Sequence, residues 1–119
     1  MKTQELAERT GLSAYTIRFY EKERLLDGRH VRREGNNYRD YSEEAIERLR
    51  FVKKLQSIGC SIAELREILH ERDANSRTNE QVIEWIRNKV SEVERKKEEC
   101  DQILATLSGM LKQRLALDA

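Results

Sequence analysis

Apolar residues recur at helical spacing along most of the chain, and short polar stretches break that rhythm into five predicted helices. The first runs from Thr3 to about Glu8. Thr3 is its cap, Glu5 sits in the first turn where the helix dipole favours an acid, and Leu6 and Ala7 face inward. Gly11 and Leu12 make a turn, and Ser13 caps a second helix from Ala14 to about Arg24. Ile17 faces the core there, with Tyr20 or Glu21 three and four residues on and Leu25 near the end. Tyr15, Arg18 and Lys22 fall on another face. A third helix begins near Ser42, buries Ala45, Ile46, Leu49, Val52 and Leu55 with Phe51 beside them, and closes at Ile58-Gly59. The capping box Ser61-x-x-Glu64 opens a fourth helix with Ile62, Leu65, Ile68 and Leu69 on its apolar face, which dissolves into the polar segment 71–77.

The fifth helix opens with a second capping box, Thr78-x-x-Gln81, and continues past Gly109. Its a positions are Ile83, Val90, Lys97, Leu104 and Leu111, and its d positions are Ile86, Val93, Cys100, Leu107 and Arg114. That is a coiled-coil seam, and over residues 78 to 115 it spans roughly 57 Å at ~1.5 Å per residue. One such helix does not bury its own seam in a chain this short, so a homodimer is expected; folding back on the first four helices is the alternative.

Between the second and third helices, residues 27–41 carry two glycines and two asparagines, which mark turns. His30 to Arg33 and Tyr38 to Tyr41 read as strands of a hairpin. A helix-turn-helix followed by a basic hairpin is the layout of a winged DNA-binding unit, whose second helix enters the major groove. Helix pairs of this kind also occur in proteins that never touch DNA. Arg32, Arg33 and Arg39 are placed to reach phosphates. Of Tyr38 and Tyr41, one is expected to pack inward while the other points at DNA. His30 is read as a wing surface residue, and His70 as a favourable charge near a helix end.

Charge sharpens this reading only locally. The 119 residues carry 23 Lys+Arg and 22 Asp+Glu, a net charge of +1. From Ala14 to Arg39, however, seven basic residues stand against four acidic ones, an excess of three that leaves the rest of the chain at −2. A solvated surface or a phosphate partner both fit that excess. The absence of proline and the scarcity of glycine, 5 in all, argue against an all-β chain. No apolar run reaches the ~18 residues of a membrane span, and the N-terminus has no apolar signal core, so a cytoplasmic protein with reduced thiols and no membrane partner is expected.

Three motifs now come together. Thr16-Ile17-Arg18-Phe19-Tyr20-Glu21-Lys22, Asn37-Tyr38-Arg39-Asp40-Tyr41 and Ile58-Gly59-Cys60-Ser61-Ile62-Ala63-Glu64-Leu65 resemble, in order, the recognition-helix signature, the wing motif and the helix junction of the bacterial MerR-type transcriptional regulators. The likeness spans residues 1 to about 70, and the fifth helix is similar to that family's antiparallel dimerisation helix. It implies a mainly α fold: a winged helix-turn-helix domain with a two-stranded wing, then a long antiparallel coiled-coil dimerisation helix. The expected layout is a DNA-binding domain over 1–70 (helix-turn-helix about 3–24, wing about 29–41, helices about 42–58 and 61–72) and a dimerisation helix over 78–116.

The resemblance further implies a homodimer on double-stranded DNA at a pseudo-palindromic promoter, distorting an overlong spacer in response to an effector so that RNA polymerase engages both promoter elements. Tyr15, Thr16 and Arg18 would then meet bases or phosphates, and Tyr20, Tyr38 and Arg39 phosphates. Thr3, Ser13, Lys22, Arg32, Arg33 and Asn37 complete the candidate DNA-facing set. Ile83, Ile86, Val90, Val93, Cys100, Leu104, Leu107 and Leu111 form the candidate dimer seam. Asn37 stands where the family's wing usually has glycine, the usual proline after Leu25-Leu26 is missing, and the segment from Leu26 to Tyr38 is slightly longer than in many members.

The effector is not readable. The sequence is expected to have no room for a ligand-binding domain after Ala119. No cysteine stands at either end of the fifth helix, where metal-sensing relatives hold soft metals, and the four cysteines of a cluster-binding relative are missing, so neither a metal nor another cofactor is expected. Cys60 is either a small buried hydrophobe or a thiol switch. Cys100 is either a seam residue chosen for size or a group that pairs across the dimer. No constellation of acids, bases and nucleophile suggests an enzyme. An effector-independent architectural or DNA-bridging dimer of the same fold is the competing function, and a coiled-coil adaptor binding protein is disfavoured by the basic wing.

Overall fold

The computed structural model describes residues 1–33, 35 and 38–118. Its element order is α1 (Thr3–Thr10), α2 (Ala14–Lys22), β1 (Val31–Arg33), β2 (Arg39–Tyr41), α3 (Glu43–Ser57), α4 (Ile62–Asp73) and α5 (Asn79–Leu117). The fold is mainly helical, with a two-stranded antiparallel wing and a long final helix. Two compact units divide it, Met1–Ser76 and Arg77–Ala119.

In the first unit, Leu6, Ile17, Leu25, Leu49, Val52 and Leu65 are fully buried, joined by Leu26, Tyr41, Ala45, Ile46, Leu55, Cys60 and Leu69. Every helix of the unit thus contributes its apolar stripe to one core. Thr10 is buried as well, and its hydroxyl donates to the Leu6 carbonyl at 2.7 Å, so no polar group is left unsatisfied by its burial. Gly11 closes α1 at φ 73°, and a Cβ there would stand 2.9 Å from Lys53 Nζ.

Helix ends follow their caps. Ser13 accepts from the Thr16 N–H, and the boxes Ser61–Glu64 and Thr78–Gln81 are both formed. Thr3 departs from its predicted role: Lys2 occupies the cap position of α1, without a side-chain bond, and Thr3 is already helical. The cause is that α1 starts one residue early; it also runs on to Thr10 rather than stopping near Glu8. Ser42 precedes α3, but its hydroxyl donates to the Arg29 carbonyl at 2.6 Å instead of capping.

α2 stops at Lys22, short of the predicted Arg24. There the Leu25 N–H bonds back to the Tyr20 carbonyl and the Arg24 N–H to the Glu21 carbonyl, with Arg24 itself left-handed at φ 63°. This is a Schellman closure built on arginine. The same pattern ends α3 at Gly59, φ 92°, and α4 at Asn75, φ 49°.

The wing pairs Val31 with Tyr41, Arg32 with Asp40 and Arg33 with Arg39. β1 begins one residue later than predicted because His30 turns inward. It is buried, and its Nδ1 accepts from the Asp27 N–H at 3.0 Å, which corrects its reading as a wing surface residue. The predicted DNA-facing residue Asn37 lies outside the described residues.

In the second unit, α5 is an unbroken helix of 39 residues, about 58 Å long. Among the described residues, no helix is long and apolar enough to cross a membrane.

Candidate nucleic-acid interface

The recognition helix α2 has two faces set by the helical period. Ile17 and Tyr20 turn into the core, and Tyr15, Arg18 and Lys22 turn out, with Tyr15 81% exposed. Ser13 and Thr16 sit at its start. The Ser13 hydroxyl donates to Thr16 Oγ1 at 2.8 Å while accepting from the Thr16 N–H at 3.0 Å, so the first turn is fixed at the edge of the outward face.

Tyr20 does not stand with the outward residues. It is 3% exposed, its hydroxyl donates to Gln56 Oε1 of α3, and burial pushes its pKa up. The expected phosphate contact from Tyr20 is therefore corrected: an aromatic ring at i+3 from Ile17 goes to the core, and its hydroxyl is used there.

The wing is held against α2 by one acid. Glu21 accepts from Arg39 Nε at 2.9 Å and from the Tyr41 hydroxyl at 3.1 Å through Oε2, and its Oε1 lies 3.4 Å from the Arg33 guanidinium. Arg39 is half-buried in this contact, so the structure makes it an anchor of the wing. Tyr41 is buried and Tyr38 exposed, which resolves the two tyrosines as one inward and one outward. Lys2 Nζ stands 5.6 Å from the centre of the Tyr38 ring. Arg32 and Arg33 are exposed, and Thr3 is half-buried beside Tyr41. The arrangement is a polar, cationic face made of a helix and a hairpin whose relative placement is fixed by charge-assisted bonds.

Sequence reasoning missed Glu21 as a positioning group, although it stands within the Thr16–Lys22 motif as an acid in a basic stretch. It also missed the cluster behind the wing. Asp27 accepts from the Arg29 side chain, at 2.7 Å from Nη2 and 3.1 Å from Nε, and from its backbone N–H at 2.9 Å, and this holds its carboxyl well below the usual carboxylate range against the opposing effect of burial.

Cys60 lies in the core, which removes it as an accessible thiol switch; Cys100 is exposed on α5. Among the described residues, no three His, Cys, Asp or Glu side chains gather as a metal site would need.

A family model described as MerR HTH family regulatory protein matches residues 1–72, and a second, described as MerR, DNA binding, matches residues 46–110. The chain belongs to the MerR family. It is a DNA-binding transcriptional regulator with a helix-turn-helix. It is 32% identical over 111 residues to the HTH-type transcriptional regulator HmrR of Rhizobium leguminosarum bv. viciae, an alignment covering 93% of this chain and 84% of that protein. Among solved structures, PbrR691 from Ralstonia metallidurans CH34, in complex with lead(II), is similar at TM-score 0.75 and 29% identity, covering 90% of this chain and 82% of that one. HiNmlR, a MerR family regulator lacking the sensor domain and bound to promoter DNA, is similar at TM-score 0.66 and 27% identity, covering 87% and 77%.

Proposed function

We propose that this MerR-family chain acts as a homodimer that reads an inverted DNA site with the outward face of α2 and grips the flanking phosphates with its wing. The observation that carries this reading is the Glu21 clamp, which sets the exposed Tyr15–Arg18–Lys22 face and the exposed Arg32, Arg33 and Tyr38 in one fixed relation. Arg18 offers a two-pronged donor to a guanine edge or a phosphate, and Tyr15 a hydroxyl on a rigid ring. Thr16 lies beside them; Thr3, Ser13 and Lys22 make the surrounding backbone contacts. A relative bound to promoter DNA while lacking a sensor domain supports DNA reading by this part of the fold.

The second copy joins through α5. Ile83, Ile86, Val90, Val93, Leu104, Leu107 and Leu111 lie between 38% and 60% exposed in the single chain, in one stripe with the exposed Cys100. Such a stripe needs a partner helix, and an antiparallel mate supplies one. In this reading the dimer distorts the promoter spacer when an effector shifts the two reading heads, and RNA polymerase responds to the DNA rather than to a direct contact.

The test is Arg18→Ala against a duplex enriched by the wild-type protein from a random-sequence pool, at one fixed salt concentration. Affinity is expected to fall by about 1–3 kcal/mol. Unchanged affinity would contradict the placement of α2 in the groove.

A further inference from the structure

α4 reaches the far end of the recognition helix and the base of the wing through a chain of ionic contacts that the DNA-facing residues do not explain. Asp73, in the last turn of α4, binds the Arg48 guanidinium of α3 with both oxygens, each at 2.8 Å. Arg48 is only 10% exposed, and its Nε donates at 2.9 Å to the carbonyl of Leu25, just past the end of α2. The same Asp73 oxygen accepts from Arg29 Nη2 at 3.0 Å, and Arg29 in turn holds Asp27 at the start of the wing. About two turns earlier on α4, Arg66 Nε donates at 2.9 Å to the Glu23 carbonyl at the cap of α2, while its guanidinium pairs with the Glu23 carboxylate. Segment 23–30, which joins recognition helix to wing, is therefore held by α4 at Glu23 and at Arg29. α4 ends at Asp73, and three residues later, after Ser76, the chain leaves this unit for the one that holds α5.

We propose that Asp73 is a positioning residue for DNA reading: it ties the last turn of α4, where the chain departs for the dimerisation helix, to the exit of α2 and the base of the wing. This inference rests on the DNA-reading proposal above. A side chain that fixes two reading elements from behind acts on discrimination. Specific contacts need both elements in register, whereas non-specific attraction to the phosphates needs only the cationic surface. The bidentate fork matters here because it fixes the Arg48 plane, and with it the bond to Leu25; a point charge would not.

The experiment compares Asp73→Asn, Asp73→Glu and wild type. Affinities are measured for the enriched duplex and for random-sequence duplex of equal length, and amide exchange is followed over residues 27–33 and 39–41. Asp73→Asn is expected to lower the ratio of specific to random affinity about tenfold, to leave random affinity unchanged, and to speed exchange in the wing. Asp73→Glu is expected to recover part of the ratio. Should Asp73→Asn fail to fold, Arg48→Lys is expected to give the same loss of ratio, since it keeps the charge but not the fork. An unchanged ratio in the folded variants, or equal loss on both duplexes, would overturn the proposal. If the wild-type protein itself does not discriminate between the duplexes, the DNA-reading proposal falls, and this one with it; faster wing exchange in Asp73→Asn would still mark that failure as one of DNA reading and not of the ionic linkage.

Discussion

Glu21 and His30 mark the limit of what single positions disclose in a sequence. Glu21 is one of four acids in a stretch with seven basic residues, and its contacts to Arg39 and Tyr41 lie eighteen and twenty residues ahead, so only the fold brings them together. His30 sits in a polar stretch whose composition suggests solvent, yet it is buried, and burial holds its pKa below the usual 6.5. Asp27 and Glu44 act against that shift, while Arg48 and Arg29 add to it. The unfolded chain then binds a proton near 6.5 that the folded chain resists. The stability carried by neutral His30 is thus complete above that value and is lost as pH falls toward the folded pKa. Thermal melts from pH 7.5 down to 5 should show a falling Tm, with a shallower fall in His30→Asn. Asp73, held at about 2 chiefly by its bonds to Arg48, and Asp27, lowered as well, both stay ionised across this range and do not contribute to the slope. Equal slopes in the two proteins would assign the acid sensitivity elsewhere.

Helices were legible where a local chemical rule marks their ends and obscure where the closing residue breaks the rule. The boxes at Ser61 and Thr78 and the glycine at position 59 are written in the sequence, and the structure has them. α2 ends two residues before the predicted Arg24, because its left-handed residue is Arg24 itself, which carries a Cβ and gives no glycine signal. The buried Leu25, the Arg48 bond to its carbonyl and the Arg66 bonds to Glu23 hold that turn from outside. Strand ends suffered similarly: β1 lost His30 to a tertiary contact. If the capping chemistry is what stabilises α4, then Ser61→Ala should cost about 1 kcal/mol in denaturant unfolding, since it leaves the Glu64 N–H without its acceptor at 3.1 Å. A loss under a few tenths would mean that core burial of Leu65 and Leu69 alone sets the start of this helix.

Taken whole, the molecule pairs a compact unit that presents a fixed cationic face with a helix whose apolar stripe is exposed in a single chain. The heptad pattern predicted that stripe because its rule is purely local, and the start of α2 and the junction of α3 and α4 were legible because Ser13, Gly59 and Ser61 mark a cap, a turn and a cap. The fixed relation between α2 and the wing was not legible, since it depends on contacts across the fold. Association through α5 and reading of an inverted site are linked claims: without the second copy, only one half-site is engaged. The most direct measurement is therefore a footprint of the enriched duplex with wild-type protein and with the Leu104→Lys/Leu107→Lys variant, alongside sedimentation of both. The account predicts a wild-type dimer protecting two inverted half-sites in register with the helical turn, and a monomeric variant that gives no such footprint at the same concentration. A single asymmetric half-site protected equally by both proteins would contradict it.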